Sequence, residues 1–431
     1  MNGILEIIKN RVITNSLMFV RKLIQVLAYR SLYTKQSVGQ IGRYIQSNVS
    51  VNTMFFHLLG RSLFVISQIM ALLIFKSKRV LKIEGFDEET SPFLKDEKNI
   101  WPIPPCIQEG RLDKPQPGLV QRLKTSYELA TKHDPMKLPH SEWWETQSKD
   151  FRKIYFDEKG ELNEHLLMNF RGVPTIKAAL LSEQLQVVSK SYTTSYLKSI
   201  SLVVDFHKES RWINNVILAS VSESFVGNNA CTVYRGQRLT RRLIRHAYYL
   251  SQIDKLTDFH YDEPINILDL GGGYGGLGRL LNIHYRNSRL FLIEIPEVCV
   301  LAGFFLSQCF PQKKVGVLAD IDREKLKNGE VDWKEFDIWV LPTWAIAFIP
   351  DESIDLVTNT TSLGEMSKEF GTFYLENVER ITSRYFYSHN KVECPTYDDF
   401  GFHSWNFKKK WTPLHYSHLN PGHREWLGRR C

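Results

Sequence analysis

Cysteine pairs and long apolar runs are both missing from this chain. Its six cysteines are scattered and include no Cys-x-x-Cys motif, so we expect neither a disulfide framework nor a bound metal. The apolar stretch at 62–75 has fourteen residues, short of the roughly 20 that cross a bilayer as a helix. No small-residue cleavage site follows a compact apolar core, so a secretory signal is not predicted either. These absences favour a cytoplasmic protein.

Acidic residues are nearly absent from the first 83 positions, which hold twelve lysines and arginines and one acid, Glu6. Val20, Leu23 and Leu27 follow helical spacing while the basic residues fall off that stripe, which is typical of a helix lying on an anionic membrane. We therefore predict peripheral attachment to the inner face of a membrane. Packing on the protein's own core or on a dimer partner, and a true membrane span, are the alternatives. Nucleic acid is not expected, because aliphatic rather than aromatic side chains separate the charges.

The remaining chain divides by pattern into three parts. Residues 84–118 are acidic and proline-rich without periodicity, which predicts a linker. Residues 119–250 show mainly helical patterns, with one strand-like run at 201–207, as expected for a region that covers a substrate. In the part from 251 to 431, strand and helix patterns alternate, which predicts an α/β fold with a Rossmann-like, doubly wound parallel sheet.

A glycine-rich turn lies at 271–276, between an apolar run and a helical pattern. The run at 265–270 predicts a strand buried on both faces, and Leu277, Leu280 and Leu281 repeat at helical spacing. Five glycines between them remove side chains from the turn, so that a ligand can lie against the backbone and the first N–H groups of the helix. A nucleotide is the usual occupant of such a turn.

Two classes of nucleotide ligand fit these glycines, and a purely structural turn is the third interpretation. The G-x-G-x-x-G pattern of dinucleotide sites is present, with Glu294 about 20 positions onward as the expected ribose ligand. Asp269, however, stands two residues before the first glycine, where a carboxylate suits a cationic ligand better than a pyrophosphate. The resulting D-x-G-x-G-x-G order resembles the first motif of class I S-adenosylmethionine methyltransferases, whose ligand carries an ammonium and a sulfonium; its residues are Asp269, Gly271, Gly273 and Gly275.

Later strand ends supply the other predicted contacts, because ligands bind beyond the carboxyl ends of parallel strands. Glu294 ends the second strand and is the predicted partner of the ribose hydroxyls. Thr343 and Trp344 follow the strand-like run 336–342, where an adenine ring would lie, and Asp320 after the run 314–318 competes for that role. Asn359 follows a further strand at 354–358 and is predicted to contact the cofactor.

The wider pattern resembles a family of sugar O-methyltransferases that act in bacterial surface-polysaccharide pathways. Besides the glycine turn, it includes the E-x-P-E sequence at 294–297, the D-L-x-x-N-x-x-S-x-x-E-M block at 355–366 and an aromatic strand ending in His389 and Asn390. The similarity covers residues from about 140 to 431. It implies a Rossmann-like core, S-adenosyl-L-methionine as donor, and a sugar or glycan hydroxyl, free or lipid-linked, as acceptor.

A general base is expected beyond a strand end that faces the donor, because methyl transfer to a hydroxyl requires removal of its proton. We prefer Glu365, from the block at 355–366, as base or as a group that orients the sugar. His389 is the alternative, since an ordinary histidine pKa lies near neutrality. Each has a structural interpretation as well: Glu365 would cap its helix, His389 would be a hydrogen-bonded loop residue, and Asn359 would satisfy backbone groups at its strand end.

The C-terminal stretch holds aromatic and histidine side chains without a regular period. Trp405 and Trp411 are candidates to stack on a sugar face, although core positions are the simpler interpretation. Three histidines lie in a segment that we expect to be irregular and exposed, rather than in a metal site: His415, His418 and His423.

Three functions therefore compete. The preferred one is methyl transfer from S-adenosyl-L-methionine to a sugar hydroxyl. An NAD(P)-dependent sugar oxidoreductase would use the same turn, but it would not need Asp269 or the block at 355–366. A catalytically silent membrane scaffold would not need an intact turn together with Glu294.

Overall fold

The computed structural model describes residues 82–84, 115–135, 141–171, 202–203, 205–207, 209–227, 229, 231–234, 237–391, 407–408, 410–417 and 423–431. The predicted amphipathic helix, the apolar stretch at 62–75 and most of the predicted linker lie outside these residues. Trp405 and His418 lie outside them as well. Within the described ranges, no helix is both long enough and apolar enough to cross a membrane.

Helices dominate the described part before residue 257. They are α1 (Leu119–Lys132), α2 (Glu142–Tyr155), α3 (Glu164–Met168), α4 (Asn215–Ser220) and α5 (Arg241–Leu256). A three-stranded antiparallel sheet joins β1 (Lys82–Glu84), β2 (Cys231–Tyr234) and β3 (Gln237–Leu239). The helical patterns predicted for α1 and α5 are confirmed, and Thr240 begins α5 by accepting a hydrogen bond from the backbone N–H of Leu243.

The strand predicted at 201–207 is wrong, because the described residues of this run are helical. Leu202, Val203 and Phe206 are all buried, and their i, i+1, i+4 spacing matches one face of a helix. A β-branched, apolar run of this length does not distinguish a buried helix from a strand.

The C-terminal half is built on eight strands. These are β4 (Asn266–Leu270), β5 (Arg289–Glu294), β6 (Val315–Val317), β7 (Ile338–Pro342), β8 (Ile354–Thr360), β9 (Thr382–Lys391), β10 (Trp411–Ser417) and β11 (His423–Arg430). Their order in the sheet is β10-β11-β9-β8-β4-β5-β7-β6. β11 runs antiparallel to both neighbours, and the other pairs are parallel. The predicted α/β, Rossmann-like fold is therefore confirmed for this half.

Helices α6 (Gly276–His284), α7 (Pro296–Cys309), α8 (Arg323–Asn328) and α9 (Lys368–Ile381) connect the strands. Alternate strand residues enter different hydrophobic clusters, as Ile267 and Leu268 do, so both faces of the sheet are buried. Leu123 of α1 and Leu243 of α5 belong to the same cluster as Ile267, so the helical region and the sheet share one core. The division predicted at residue 250 falls inside α5.

The chain reverses its direction across the sheet at β4. From β4 the chain proceeds to β5 and then to β6 at one edge, and β7 fills the position between them. It then crosses to place β8 on the other side of β4. In open α/β sheets, ligands bind at such a switch point, outside the carboxyl ends of the strands. The glycine-rich turn begins there, directly after Leu270.

The segment predicted to be irregular at the C-terminus forms β10 and β11 instead. β11 pairs with β9 over seven residues, from His423 opposite Lys391 to Arg429 opposite Tyr385. His415 therefore lies on a strand, with Nε2 3.3 Å from Oε2 of the buried Glu425. The prediction was wrong because the pairing partner, β9, is distant in sequence and no turn residue indicated it.

A buried ion pair ties the helical region to the glycine turn. Nη1 of Arg171 lies 3.1 Å from Oε1 of Glu223, whose other oxygen accepts a hydrogen bond from Thr240 at 2.8 Å. The guanidinium of Arg171 also stacks over the ring of Tyr274, 4.7 Å from its centroid. The guanidinium of Arg171 holds the pKa of the Glu223 carboxyl well below its usual value, in spite of its burial.

Replacing Glu223 with Gln should lower the free energy of unfolding by roughly 3–5 kcal/mol, because it removes the carboxylate that pairs with the buried guanidinium of Arg171. The matched control is Glu324→Gln, which breaks an exposed pair with Lys327 and should cost less than about 1 kcal/mol. Equilibrium denaturation with urea measures both. Equal small losses in the two variants would show that the buried pair does not anchor the fold.

Candidate functional site

The glycine turn leaves open space beside its backbone. Gly273 has a φ of 58°, a left-handed conformation that glycine adopts without strain, and a Cβ atom built there would have no atom within 4 Å. Gly271, in contrast, is covered, since a Cβ there would lie 1.9 Å from Oγ of Ser362. The turn is thus closed on the side of β8 and open at Gly273, where a ligand can reach the backbone.

Asp269 lies beneath the turn and is completely buried. Its Oδ1 accepts a hydrogen bond from Oγ1 of Thr358 at 2.8 Å, and the backbone N–H of Gly278, in the first turn of α6, also stabilises the charged carboxylate. Burial raises the pKa of this carboxyl to about 6. A Cβ at Gly272 would lie 2.5 Å from Oδ2, so the carboxylate supports the turn from below.

Glu294 holds the turn from the neighbouring strand. Its Oε1 accepts a hydrogen bond from the backbone N–H of Gly273 at 2.9 Å, and its Oε2 accepts one from that of Ile295 at 2.8 Å. Burial, together with the charges of Asp269 and Glu365, raises the pKa of Glu294 to about 7. Each carboxylate oxygen has a second lone pair, so Glu294 can still accept hydrogen bonds from a diol.

Asp269 and Glu294 form no ion pair with any described residue. Two buried carboxyls with raised pKa values and a third acid nearby create a negative potential at the end of β4 and β5. A cationic ligand would lower this electrostatic cost, whereas a pyrophosphate would increase it. The described residues contain no group of three side chains suited to hold a metal ion there.

Asn359 links three strands at the carboxyl edge. Its Nδ2 donates to the backbone oxygen of Leu270 at 2.7 Å, and its Oδ1 accepts from Nδ2 of Asn390 at 2.7 Å. Asn390 in turn accepts a hydrogen bond from the backbone N–H of Ser362 at 2.9 Å. This geometry matches the structural interpretation of Asn359: it fixes the loop that places Ser362 over Gly271. A direct contact of Asn359 with the cofactor stays a prediction.

The order of the strands distinguishes the two candidates for the adenine site, Thr343 with Trp344 on one hand and Asp320 on the other. β7 is the direct neighbour of β5, so Thr343 and Trp344 follow the strand end beside Glu294. Asp320 follows β6 at the edge of the sheet and is paired with Nη2 of Arg122 at 2.5 Å. The position beside the predicted ribose site therefore belongs to Thr343 and Trp344. An apolar cleft beside these strand ends is lined by α1, α7 and the prolines Pro296 and Pro342.

Glu365 lies in a 3-10 turn beyond β8, at residues Leu363–Glu365. It is half-buried, and its backbone oxygen accepts a hydrogen bond from Oγ of Ser141 at 3.2 Å. The turn follows directly on Ser362, whose Oγ covers Gly271. The structure thus brings the preferred base close to the glycine turn.

His389, the alternative general base, lies on a different strand from the one that precedes Glu365. It lies near the end of β9, where its Nδ1 is 3.1 Å from the hydroxyl of Tyr249 on α5. The ring of His423 stacks on it, with centroids 5.3 Å apart. Burial, and secondarily His423, lowers the pKa of His389 to about 4. This is below the near-neutral value that the sequence suggested, so His389 is uncharged at pH 7 and a weaker base than expected.

Trp411 packs in a cluster of aromatic rings, 5.8 Å from Trp426 and 6.2 Å from Phe386 between centroids. This arrangement agrees with the simpler interpretation of Trp411 as a core residue. The sequence did not indicate Tyr249, His246 or Glu425 as neighbours of the site. The sequence held one indication of the α5 residues: Arg242, Arg245, His246 and Tyr249 recur at i, i+3, i+4, i+7, the spacing of one helix face.

No protein-family model and no curated protein sequence matches the chain. Among solved structures, a SAM-dependent methyltransferase from Aquifex aeolicus is 14% identical over 41% of this chain and 88% of its own, with a TM-score of 0.27. Magnesium protoporphyrin IX methyltransferase from Synechocystis is 12% identical over 43% and 80%, with a TM-score of 0.28. Geranyl diphosphate C-methyltransferase from Streptomyces coelicolor is 9% identical over 44% and 79%, with a TM-score of 0.30. None of these three names includes a sugar.

The unliganded protein should lose stability as pH rises from about 4 to about 7 because of Asp269 and Glu294. Both acids have raised pKa values when folded, so the unfolded chain ionises first as the pH rises, and this ionisation lowers its free energy relative to that of the folded chain. The Glu294→Gln variant should reduce this loss by roughly 3 kcal/mol. Glu335→Gln, on the surface, is the control and should keep the wild-type profile. An unchanged profile in Glu294→Gln, measured by urea denaturation across this pH range, would contradict the assignment.

Proposed function

We propose that this chain is an S-adenosyl-L-methionine-dependent methyltransferase whose acceptor is a sugar hydroxyl. The observation that carries the proposal is the pair of buried carboxyls, Asp269 and Glu294, at an open glycine turn without a counter-charge in the described residues. A donor with an ammonium and a sulfonium supplies the positive charge that this site lacks. The pyrophosphate of NAD(P) would bring two further negative charges beside these acids, which disfavours the oxidoreductase.

We assign different parts of the donor to residues at different strand ends. Glu294 accepts hydrogen bonds from the ribose hydroxyls, and the open backbone at Gly273 allows close approach. Thr343 and Trp344, beyond the adjacent strand, are assigned to the adenine ring. Asp269 stabilises the positive end of the donor through its field, because its own oxygens are buried under the turn.

When bound, the donor supplies an electrophilic methyl group on a positively charged sulfur. The protein must then orient the acceptor oxygen in line with the methyl and remove the hydroxyl proton. The oxygen forms a bond to carbon, the carbon–sulfur bond breaks, and its electron pair remains on sulfur. We assign removal of the proton to Glu365, the half-buried carboxylate beyond β8.

The sugar acceptor and the cellular setting rest on sequence features. The block at 355–366 and the strand end at His389 and Asn390 resemble those of sugar O-methyltransferases, and this favours a role in surface polysaccharide or glycan synthesis. The twelve basic residues among the first 83 support attachment to the inner face of a membrane, where a lipid-linked acceptor would lie.

Replacing Gly273 with Val should weaken binding of S-adenosylhomocysteine by at least about 10-fold, since the side chain would fill the space that the ligand needs. Gly160→Val is a matched control: Gly160 also has a positive φ, 74°, and a Cβ there also has open space. Both variants should lose a similar, small free energy of unfolding, roughly 1–2 kcal/mol, from the strained backbone.

Isothermal titration calorimetry measures the affinity of both variants, and denaturation measures their stability. Equal affinities of the Gly273 and Gly160 variants for S-adenosylhomocysteine would remove the glycine turn from the donor site.

Replacing Glu365 with Gln should reduce methyl transfer by about 10²- to 10⁴-fold, because the variant has no base for the hydroxyl proton. The affinity for S-adenosylhomocysteine should stay nearly unchanged. Turnover is followed as S-adenosylhomocysteine formed with the best acceptor from a panel of sugars, sugar phosphates and sugar nucleotides. Glu369→Gln, an exposed change four residues away, is the control and should retain full turnover.

His389→Gln should retain more turnover than Glu365→Gln, since the pKa of His389 is too low for an efficient base near pH 7. A fully active Glu365→Gln enzyme would exclude Glu365 from the mechanism, and a more severe loss in His389→Gln would reverse the assignment.

A further inference from the structure

Thr361 has a backbone conformation that its side chain disfavours. It directly follows β8 and has a φ of 55°, in the left-handed region where a Cβ atom crowds the following carbonyl group. A branched Cβ makes this conformation rarer still. Among the residues that the structure describes, the one other non-glycine residue with a positive φ is Glu352, at 49°. Such strain persists only where neighbouring groups hold it in place.

Hydrogen bonds to the end of β9 hold this conformation. The backbone N–H of Thr361 donates to the backbone oxygen of His389 at 2.8 Å. The next N–H, that of Ser362, donates to Oδ1 of Asn390 at 2.9 Å. The hydroxyl of Thr361 donates to the backbone oxygen of Thr360 at 2.8 Å, which fixes the side chain as well. Two consecutive N–H groups are thus bound to consecutive residues of β9.

The bend at Thr361 directs the chain back over the glycine turn. β8 and β4 are parallel neighbours, so their carboxyl ends lie side by side. After the bend, Ser362 lies over Gly271, since a Cβ built at Gly271 would be 1.9 Å from Oγ of Ser362. The 3-10 turn Leu363–Glu365 follows at once. The strained residue therefore determines where the cover of the glycine turn and the preferred base both lie.

Glu352 provides a comparison within the same strand, because it has a similar φ at the opposite end of β8. It precedes the strand, at the amino edge of the sheet, and its side chain is exposed. Its Oε1 lies 2.8 Å from Nη2 of Arg430. The two strained residues therefore differ in location: one lies in a surface turn, and the other lies beside the glycine turn.

A glycine at position 361 would adopt the same φ without strain, but it would also allow many other conformations. The branched threonine has fewer alternatives once β9 holds it, because both its backbone and its χ1 are restricted. The loop is then fixed before a ligand binds. Groups fixed in this way bind better than groups that the ligand must order, because less conformational entropy is lost.

We propose that Thr361 is a positioning residue of the donor site: its strained backbone holds Ser362 against Gly271 and so sets the place of Glu365. This inference rests on the proposed function, since it takes the glycine turn as the donor site. Thr361 acts through the loop that follows it and need not touch the donor.

Calorimetric titration of the full chain with S-adenosylhomocysteine tests the proposal. Thr361→Gly should weaken binding about 3- to 10-fold, with the loss in the entropy of binding, because the ligand must then order the loop. Thr361→Asn should bind within about 2-fold of the wild-type affinity, since asparagine tolerates the left-handed conformation and still restricts the backbone more than glycine does.

The matched control is Glu352→Gly, which removes the same kind of backbone strain from the surface turn before β8. It should keep the wild-type affinity within about 2-fold, because it is remote from the glycine turn. The midpoint of urea denaturation is measured for every variant. It should fall no further in Thr361→Gly than in Glu352→Gly, which separates weaker binding from partial unfolding.

The inference is overturned if Thr361→Gly keeps the wild-type affinity, or if Thr361→Asn binds as weakly as Thr361→Gly. It is also overturned if the loss of affinity in Thr361→Gly is accompanied by a lower urea midpoint than that of Glu352→Gly, since Thr361 would then have a purely structural role. Failure of S-adenosylhomocysteine to bind the wild-type chain would instead contradict the proposed function.

Discussion

The burial of two carboxyl groups at the switch point of the sheet is the constraint on which the site depends. Asp269 is fully buried under the turn that Gly272 must form without a side chain, and Glu294 holds the same turn through the N–H of Gly273. Placing two acids together out of water is unfavourable, and their raised pKa values express that cost. A cationic ligand would reduce this electrostatic cost, so the site favours a ligand with a positive charge.

Hydrogen bonds among the neighbouring strands at the carboxyl edge of the sheet hold the glycine turn and the loop beyond β8 in place. Asn359 and Asn390 connect β4, β8 and β9 and fix the loop that carries Ser362 and Glu365. On the other side of the turn, α5 places the hydroxyl of Tyr249 against His389, near the end of β9.

Local patterns were sufficient to predict the strands and helices around the turn, because apolar runs, glycines and i, i+4 spacing act within a few residues. The same patterns placed Asp269 and Glu294 correctly at strand ends. They could not predict that Asn359 uses its amide to join three strands, since its partners Leu270 and Asn390 are distant in sequence. The pairing of β11 with β9 and the low pKa of His389 also arise from contacts between distant segments. The helical state of 202–207 was missed because a short apolar run fits either structure.

The most direct measurement of the central claim is calorimetric titration of the wild-type chain with S-adenosylhomocysteine and, separately, with NADH. The two ligands share adenosine but differ in the charge that they bring to Asp269 and Glu294. The account predicts saturable, one-to-one binding of S-adenosylhomocysteine and no comparable binding of NADH. Binding of NADH without binding of S-adenosylhomocysteine would contradict it.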